Sequence, residues 1–252
     1  MKAQLPPCYD NYIFDLYGTL VDIHTEEDFP LLWEKMSLFC GYYGARYLPD
    51  ELKQAWNQMA QTLLRRKDLI EASGRSNSYE AFPEIDLRLV IRELYAQKGV
   101  PASPELIVHT GQFFRVLSTE YIRLYEGTVE MLSSLRASGK KLWLLSNAQR
   151  IFTEYELHLL DIGHCFDGIL ISSDFGVGKP NPRFFQELVI KYGVDFKRSL
   201  FIGNDAVNDI GGAQAVGLDT FYVHSNLSNR LPERMSKVNY PVLDFTGWAV
   251  SP

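Results

Sequence analysis

The sequence predicts an α/β chain: a doubly wound, Rossmann-like sheet, mainly parallel, with an all-helical block inserted after its first strand. Three observations predict it. Short apolar runs alternate with segments of helical spacing over residues 124–252, the pattern of strand–helix units that place helices on both faces of a sheet. From about residue 24 to about residue 123 the apolar residues recur at helical spacing throughout. Polar residues able to do chemistry stand at the ends of the apolar runs, where an open α/β sheet forms its ligand crevice.

The first strand is expected at Tyr12–Leu16, an apolar run interrupted only by Asp15. Helices follow at Leu31–Cys40, Glu51–Lys67, Ile85–Lys98 and Pro104–Leu117. Pro49-Asp50-Glu51 and Ser103-Pro104-Glu105 open two of them with a proline or an acid in the first turn. Glu71–Ser78 is a polar loop between helices. The remaining strands are Leu142–Leu145, Gly168–Ile171, Leu200–Ile202 and Thr220–Val223, with helices at Thr128–Ala137, Thr153–Leu160, Pro182–Tyr192 and Val207–Val216. Gly139, Gly193 and Gly217 follow three of these helices, where a left-handed cap residue is wanted. The implied division is a core of residues 1–23 and 124–252 and a helical cap of residues 24–123.

Composition narrows the class. A chain of 252 residues, 46% hydrophobic, has room for a large core in one or two domains. No apolar stretch approaches the ~18 residues of a membrane span. Met1–Pro7 lacks the apolar run of a signal peptide, so a cytoplasmic protein with no membrane partner is expected. Cys8, Cys40 and Cys165 are odd in number and far apart, which suggests neither a zinc site nor a disulfide framework. The net charge of −6 is dispersed, and the basic residues cluster only at Arg65-Arg66-Lys67. Nucleic acid is therefore not expected as a partner.

The strand ends carry Asp15, then Ser146-Asn147, then Ser172-Ser173-Asp174 with Lys179 close behind, then Gly203-Asn204-Asp205. One crevice would gather a carboxylate, a hydroxyl, an ammonium and a second acidic cluster, which suits displacement at an anionic centre. An aimed and desolvated carboxylate is a competent nucleophile that yields an ester water can cleave. Gly18-Thr19 permits a tight turn whose amides face an anion. Asp205 and Asp209, four apart at a helix start, share a face and would repel Asp15 unless a divalent cation such as Mg²⁺ joined them. Each feature also has a plainer meaning: Ser146-Asn147 as a helix N-cap, and the two acids as ordinary first-turn residues.

The order Asp15-Leu-Tyr-Gly-Thr19, Leu144-Leu-Ser-Asn147, Gly178-Lys-Pro-Asn-Pro182 and Phe201-Ile-Gly-Asn-Asp-Ala-Val-Asn-Asp209 resembles the four motifs of the haloacid dehalogenase-like superfamily. The helical insert resembles that family's first-type cap in position and texture. The resemblance implies that Asp15 attacks, that Ser146, Thr19, Gly18, Asn147 and Tyr17 surround the transferred group, and that Lys179 neutralises it. It also implies Mg²⁺ held by Asp15, the Tyr17 carbonyl, Asp205 and Asp209, the last of which could instead hold Lys179 or a water.

One position departs from the phosphatases of that family. Two residues after the nucleophile they carry a second Asp as general acid and base, and here that residue is Tyr17. A phenol with an ordinary pKa near 10 serves that role poorly at neutral pH. Tyr at this place matches the metal-free 2-haloacid dehalogenases, whose halide-receiving cap Arg has a counterpart at most in Arg46. They lack the equivalent of Asp205, however. His24 near the first strand is a conceivable hinge residue or substitute acid, and Asp22 and Asp174 are helpers or ordinary loop acids. The aromatics Trp33, Phe39, Tyr42, Tyr43, Tyr47 and Trp56 suit a cap core.

The expected function is a Mg²⁺-dependent phosphatase acting on a small phosphorylated metabolite through an aspartyl-enzyme intermediate, as a monomer or homodimer. Carbon–halogen hydrolysis and phosphate-ligand binding with little turnover are the alternatives.

Overall fold

The structure, a computed structural model, describes residues 5–6, 8–72 and 83–229, with the side chains of 66–72 excepted. The chain opens with β1 (Asn11–Phe14) and β2 (Val21–Thr25), then runs through α1 (Pro30–Tyr42), α2 (Pro49–Ala72), α3 (Leu87–Gln97) and α4 (Pro104–Ser118). It returns by β3 (Thr119–Leu124) to α5 (Thr128–Ala137), β4 (Lys141–Ser146), α6 (Arg150–Leu159), β5 (Gly168–Ile171), the short α7 (Ser172–Phe175) and α8 (Pro182–Tyr192). Then come β6 (Ser199–Gly203), a π-helical turn (Ala206–Gly211), the short α9 (Gly212–Ala215) and β7 (Asp219–Tyr222).

The expected α/β class is what the structure has. The sheet order is β5-β4-β1-β6-β7, and every pairing in it is parallel. Period-two alternation builds both faces from the same strands. Tyr12, Phe14, Leu142, Leu144, Leu200 and Ile202 pack with Leu132 and Leu135 of α5. Ile13, Trp143, Leu145, Leu170 and Phe201 pack with Phe184, Phe185 and Leu188 of α8. Both faces are covered, so the strands read as near-continuous apolar runs.

The four helices of the insert build their own core around Trp33, Met36, Trp56, Ile91, Tyr95 and Phe114, which extends onto Ile151 and Phe152 of α6. Trp33 and Trp56 are thus core residues, whereas Tyr42 is 90% exposed.

Two features around the insert differ from expectation. Strands β2 and β3 form an antiparallel ribbon from Val21↔Leu124 to Thr25↔Thr119, so both limits of the helical block fall inside one paired element. Helix α2 continues past Lys67 to Ala72, which takes Glu71 and Ala72 out of the expected polar loop. The rest of that loop lies outside the described residues. Among the described residues, no helix is long and apolar enough to cross a membrane.

Candidate active site

The strand order steps from β1 to β4 on one side and to β6 on the other. Such a switch point opens a crevice at the carboxyl ends of the strands, and Asp15 stands there, one residue past β1. Its N–H donates to the Ile202 carbonyl of β6 at 2.9 Å. The chain then reverses, with the Leu16 carbonyl accepting from the N–H groups of Thr19, Leu20 and Val21. Gly18 sits in this reversal at φ +83°, and a Cβ there would collide with the Asn204 carboxamide. Backbone and space both demand glycine.

Lys179 enters from the loop after β5. It is 2% exposed, and its Nζ lies 2.6 Å from Asp15 Oδ1 and 2.6 Å from Asp209 Oδ1. Asn147 clamps the main chain of Lys179: the Lys179 N–H donates to Asn147 Oδ1 at 2.7 Å, and Asn147 Nδ2 donates to the Lys179 carbonyl at 2.8 Å. Thr19 Oγ1 lies 3.3 Å from Asp15 Oδ2 and 3.2 Å from Asn204 Oδ1. Ser146 is fully buried, and its Oγ has no hydrogen-bond partner among the described residues. An unpaired buried hydroxyl costs ~1–3 kcal/mol, a deficit that a ligand oxygen in the crevice would remove.

These charges perturb one another. Burial alone would strip Lys179 of its proton, but Asp15 and Asp209 outweigh burial and hold the ammonium charged above its ordinary range. Burial, aided by the facing Asp15 and opposed by Lys179, pushes the Asp209 carboxyl up to about 6.

Asp205 is engaged differently. Its Oδ1 accepts from the N–H groups of Val207 and Asn208 at 2.8 Å each, and its Oδ2 from the side chains of Asn208 and Asn229 at 3.0 Å each. It caps the π-helical turn, while its own N–H donates to Asp209 Oδ2 at 2.9 Å. The expected metal donors are all oxygens, the kind a hard divalent cation takes. Among the described residues, no group of three or more His, Cys, Asp or Glu side chains is arranged to hold a metal. The expected set of carboxylates and one backbone carbonyl is of the donor chemistry that suits Mg²⁺.

The Tyr17 hydroxyl lies 3.0 Å from Thr153 Oγ1 and donates to Glu156 Oε2, both on α6. Glu156 Oε1 accepts from Arg115 Nε of α4 at 2.6 Å. The Arg115 guanidinium lies 5.8 Å from the Tyr17 ring centroid and 5.1 Å from that of Phe152. A recess of about 590 Å³ adjoins Arg115 and Glu156, lined further by Val116, Tyr121, Tyr155 and Leu159. None of the expected site residues lines it.

Among the described residues, none of the softer candidates is hydrogen-bonded to Asp15. His24 is half exposed on β2, stacked on Tyr121 and 3.8 Å from Glu120. Asp22 ties the ribbon through Arg123 and Asn226, and Asp174 pairs with Arg150. Arg46 is exposed in a surface recess with Ser37, Tyr42 and Tyr47.

A family model for haloacid dehalogenase-like hydrolases matches residues 9–217. The chain belongs to this family. It is 32% identical over 116 residues to a glyceraldehyde 3-phosphate phosphatase of Methanothermobacter thermautotrophicus, covering 46% of this chain and 51% of that one. The chain spans about half the length of the first curated relatives it matches. To a phosphoglycolate phosphatase of Aliivibrio fischeri it is 32% identical over 208 residues, 82% of this chain and 81% of that one. A 2-haloacid dehalogenase structure from Pseudomonas syringae superposes with a TM-score of 0.59 at 17% identity, covering 94% of this chain and 95% of that one. At that identity the likeness concerns the fold.

On this family framework the sequence reading missed two sets of residues. Glu156 and Arg115 carry no motif, and only folding brings α4 and α6 to Tyr17. Glu84, just before α3, reaches the loops after β4 and β5: its N–H donates to the Gly176 carbonyl at 3.0 Å, and its carboxylate accepts from Gln149 at 3.0 Å and Ser172 at 3.1 Å.

Proposed function

We propose that this member of the haloacid dehalogenase-like family is a phosphatase that hydrolyses a small phosphorylated metabolite through an aspartyl-enzyme intermediate on Asp15. The observation that carries the reading is the buried Lys179 ammonium, paired at once with Asp15 and Asp209 at the sheet's switch point. The named phosphatases among its relatives support it.

In this reading an Asp15 oxygen attacks phosphorus. Lys179 neutralises the attacking carboxylate and the equatorial charge that develops, in a site where burial strengthens the interaction. Thr19 and the unpartnered Ser146 hydroxyl receive phosphoryl oxygens. Asn147 positions Lys179 by its main chain, and Gly18 lets the turn lie against Asn204. Mg²⁺, when bound by Asp15, the Tyr17 carbonyl and Asp205 with Asp209 nearby, supplies further neutralisation of the transferring oxygens. The helical block of residues 24–123 serves as a cap that excludes water during attack, with the β2–β3 ribbon at its root.

Carbon–halogen cleavage by the same carboxylate is a second reading, which Tyr17 favours and the solvent-exposed Arg46 does not.

The deciding assay is phosphate release from a panel of phosphate compounds, with and without EDTA, beside halide release from 2-chloropropionate. The account expects phosphate release that Asp15→Asn abolishes and that EDTA suppresses until Mg²⁺ is restored. Full activity of Asp15→Asn overturns it, and halide release alone establishes the second reading.

A further inference from the structure

A leaving group that departs from phosphorus as an alkoxide needs a proton, because its conjugate acid is nearly as weak as water, at ~15.7. A positioned general acid contributes ~10²–10⁴-fold to such a step. The groups around Asp15 can be taken in turn.

Among the described residues, the side chains hydrogen-bonded to Asp15 are Thr19 and Lys179. Lys179 holds two buried carboxylates, and giving up its proton would leave Asp15 and Asp209 facing each other without a cation. Asp209 has both oxygens engaged as acceptors, Oδ1 toward Lys179 and Oδ2 toward the Asp205 N–H. Tyr17 is next along the turn, and its hydroxyl proton is donated to Glu156, away on α6. Arg115 completes the arrangement by pairing with the other oxygen of Glu156.

Among the described residues, the groups around Asp15 and Tyr17 supply a nucleophile and charge stabilisation but no acid with a proton free for the departing group. We infer that, as the phosphatase proposed above, the protein serves phosphoryl donors whose leaving group is stable as an anion: acyl phosphates, enol phosphates and phosphoanhydrides. This class rests on the phosphatase reading and narrows it.

The steps balance without an added acid. An Asp15 oxygen bonds to phosphorus as the bond from phosphorus to the leaving oxygen breaks, and the leaving group keeps the electron pair as a carboxylate, enolate or phosphate. Water then bonds to phosphorus, the bond from phosphorus to Asp15 breaks, and the carboxylate is restored. Both protons of the water go to the released phosphate, which exchanges them with solvent. Alkyl monoesters stall at the first step, for want of a proton on the alkoxide.

The test measures leaving-group release in a single turnover with enzyme in excess. The substrates are acetyl phosphate, a series of aryl phosphates and two alkyl phosphates. The enzymes are the wild type, Tyr17→Asp and Tyr17→Phe. For the wild type the rate should fall steeply as leaving-group pKa rises, with the alkyl monoesters ~10²–10⁴-fold behind acetyl phosphate. Tyr17→Asp should flatten the dependence by raising the alkyl rates ~10²-fold. Tyr17→Phe should shift every rate by one factor and leave the slope unchanged.

A flat wild-type dependence, with alkyl monoesters keeping pace with acetyl phosphate, overturns the inference. So does a steeper slope in Tyr17→Phe, which would make the phenol the donor. These outcomes do not require Tyr17→Asp to fold. Failure to release the leaving group from every member of the series overturns the phosphatase reading itself, and is distinct from a flat slope among active substrates.

Discussion

Lys179 is a charge kept in a dry place by two opposite charges. Removing one member of a buried ion network leaves the others uncompensated, a change that costs ~3–5 kcal/mol. Lys179→Met should therefore lower stability by about that much in urea titration, as well as abolishing turnover. An unchanged urea midpoint would contradict the charge balance described for Asp15, Lys179 and Asp209. This much of the site was legible in the sequence, because Asp15 follows β1 directly, Lys179 and Asp209 lie on the segments that follow β5 and β6, and the topology brings those strand ends together. The surroundings of Tyr17 were not legible. Its partner Glu156 lies 139 residues along the chain, on a helix whose spacing reports which face is buried but not what that face touches. Asp205 was legible as an acid at a helix start, and the two backbone N–H groups bonded to its Oδ1 show it as the cap of that turn.

Among elements, α4 and α6 are joined by an aromatic stack. The Phe114 ring stands 4.7 Å from that of Trp56 and 6.2 Å from that of Phe152. Phe114 is 2% exposed, so Phe114→Ala should destabilise the fold by ~3–5 kcal/mol through lost burial and the cavity left behind. Thermal unfolding would register this, and a shift near zero would place the stack outside the cooperative core. The helices of the insert were legible from their spacing. The β2–β3 ribbon was not assigned, although Thr119-Glu-Tyr-Ile-Arg-Leu124 carries a partial period-two signal; a six-residue strand adjoining a helix end is masked by the longer pattern. The fourth-motif segment was expected as one helix over Val207–Val216. It divides into a π-helical turn and a short α-helix, in step with the tight approach of Asp209 to Gly203, where a Cβ would collide with the carboxylate.

At the scale of the molecule, two of the hydrogen-bonded junctions among the described residues tie the insert to the α/β core. One is the Arg115–Glu156–Tyr17 chain beside the β2–β3 ribbon. At the other, Gln149 donates to Glu84 and to the Ile85 carbonyl at 2.8 Å, while its own carbonyl accepts from the Leu87 N–H at 2.9 Å. If the insert closes as a cap, Gln149→Ala should raise KM severalfold and change kcat less, because it loosens closure without touching Asp15. Equal kinetics in the variant would mean that this junction has no part in binding. The doubly wound class and the position of the crevice followed from the order of apolar runs. Neither junction had a sequence signal, since each joins side chains far apart in the chain through geometry that only the packed sheet defines.

The central claim, that Asp15 takes up the phosphoryl group, is tested most directly by trapping. The protein would be mixed with acetyl phosphate, quenched in acid within the first turnovers, digested and mapped by mass spectrometry. The account predicts a phosphorylated peptide containing Asp15, absent in Asp15→Asn. A phosphoryl group on any other residue, or undiminished phosphate release by Asp15→Asn, would contradict it.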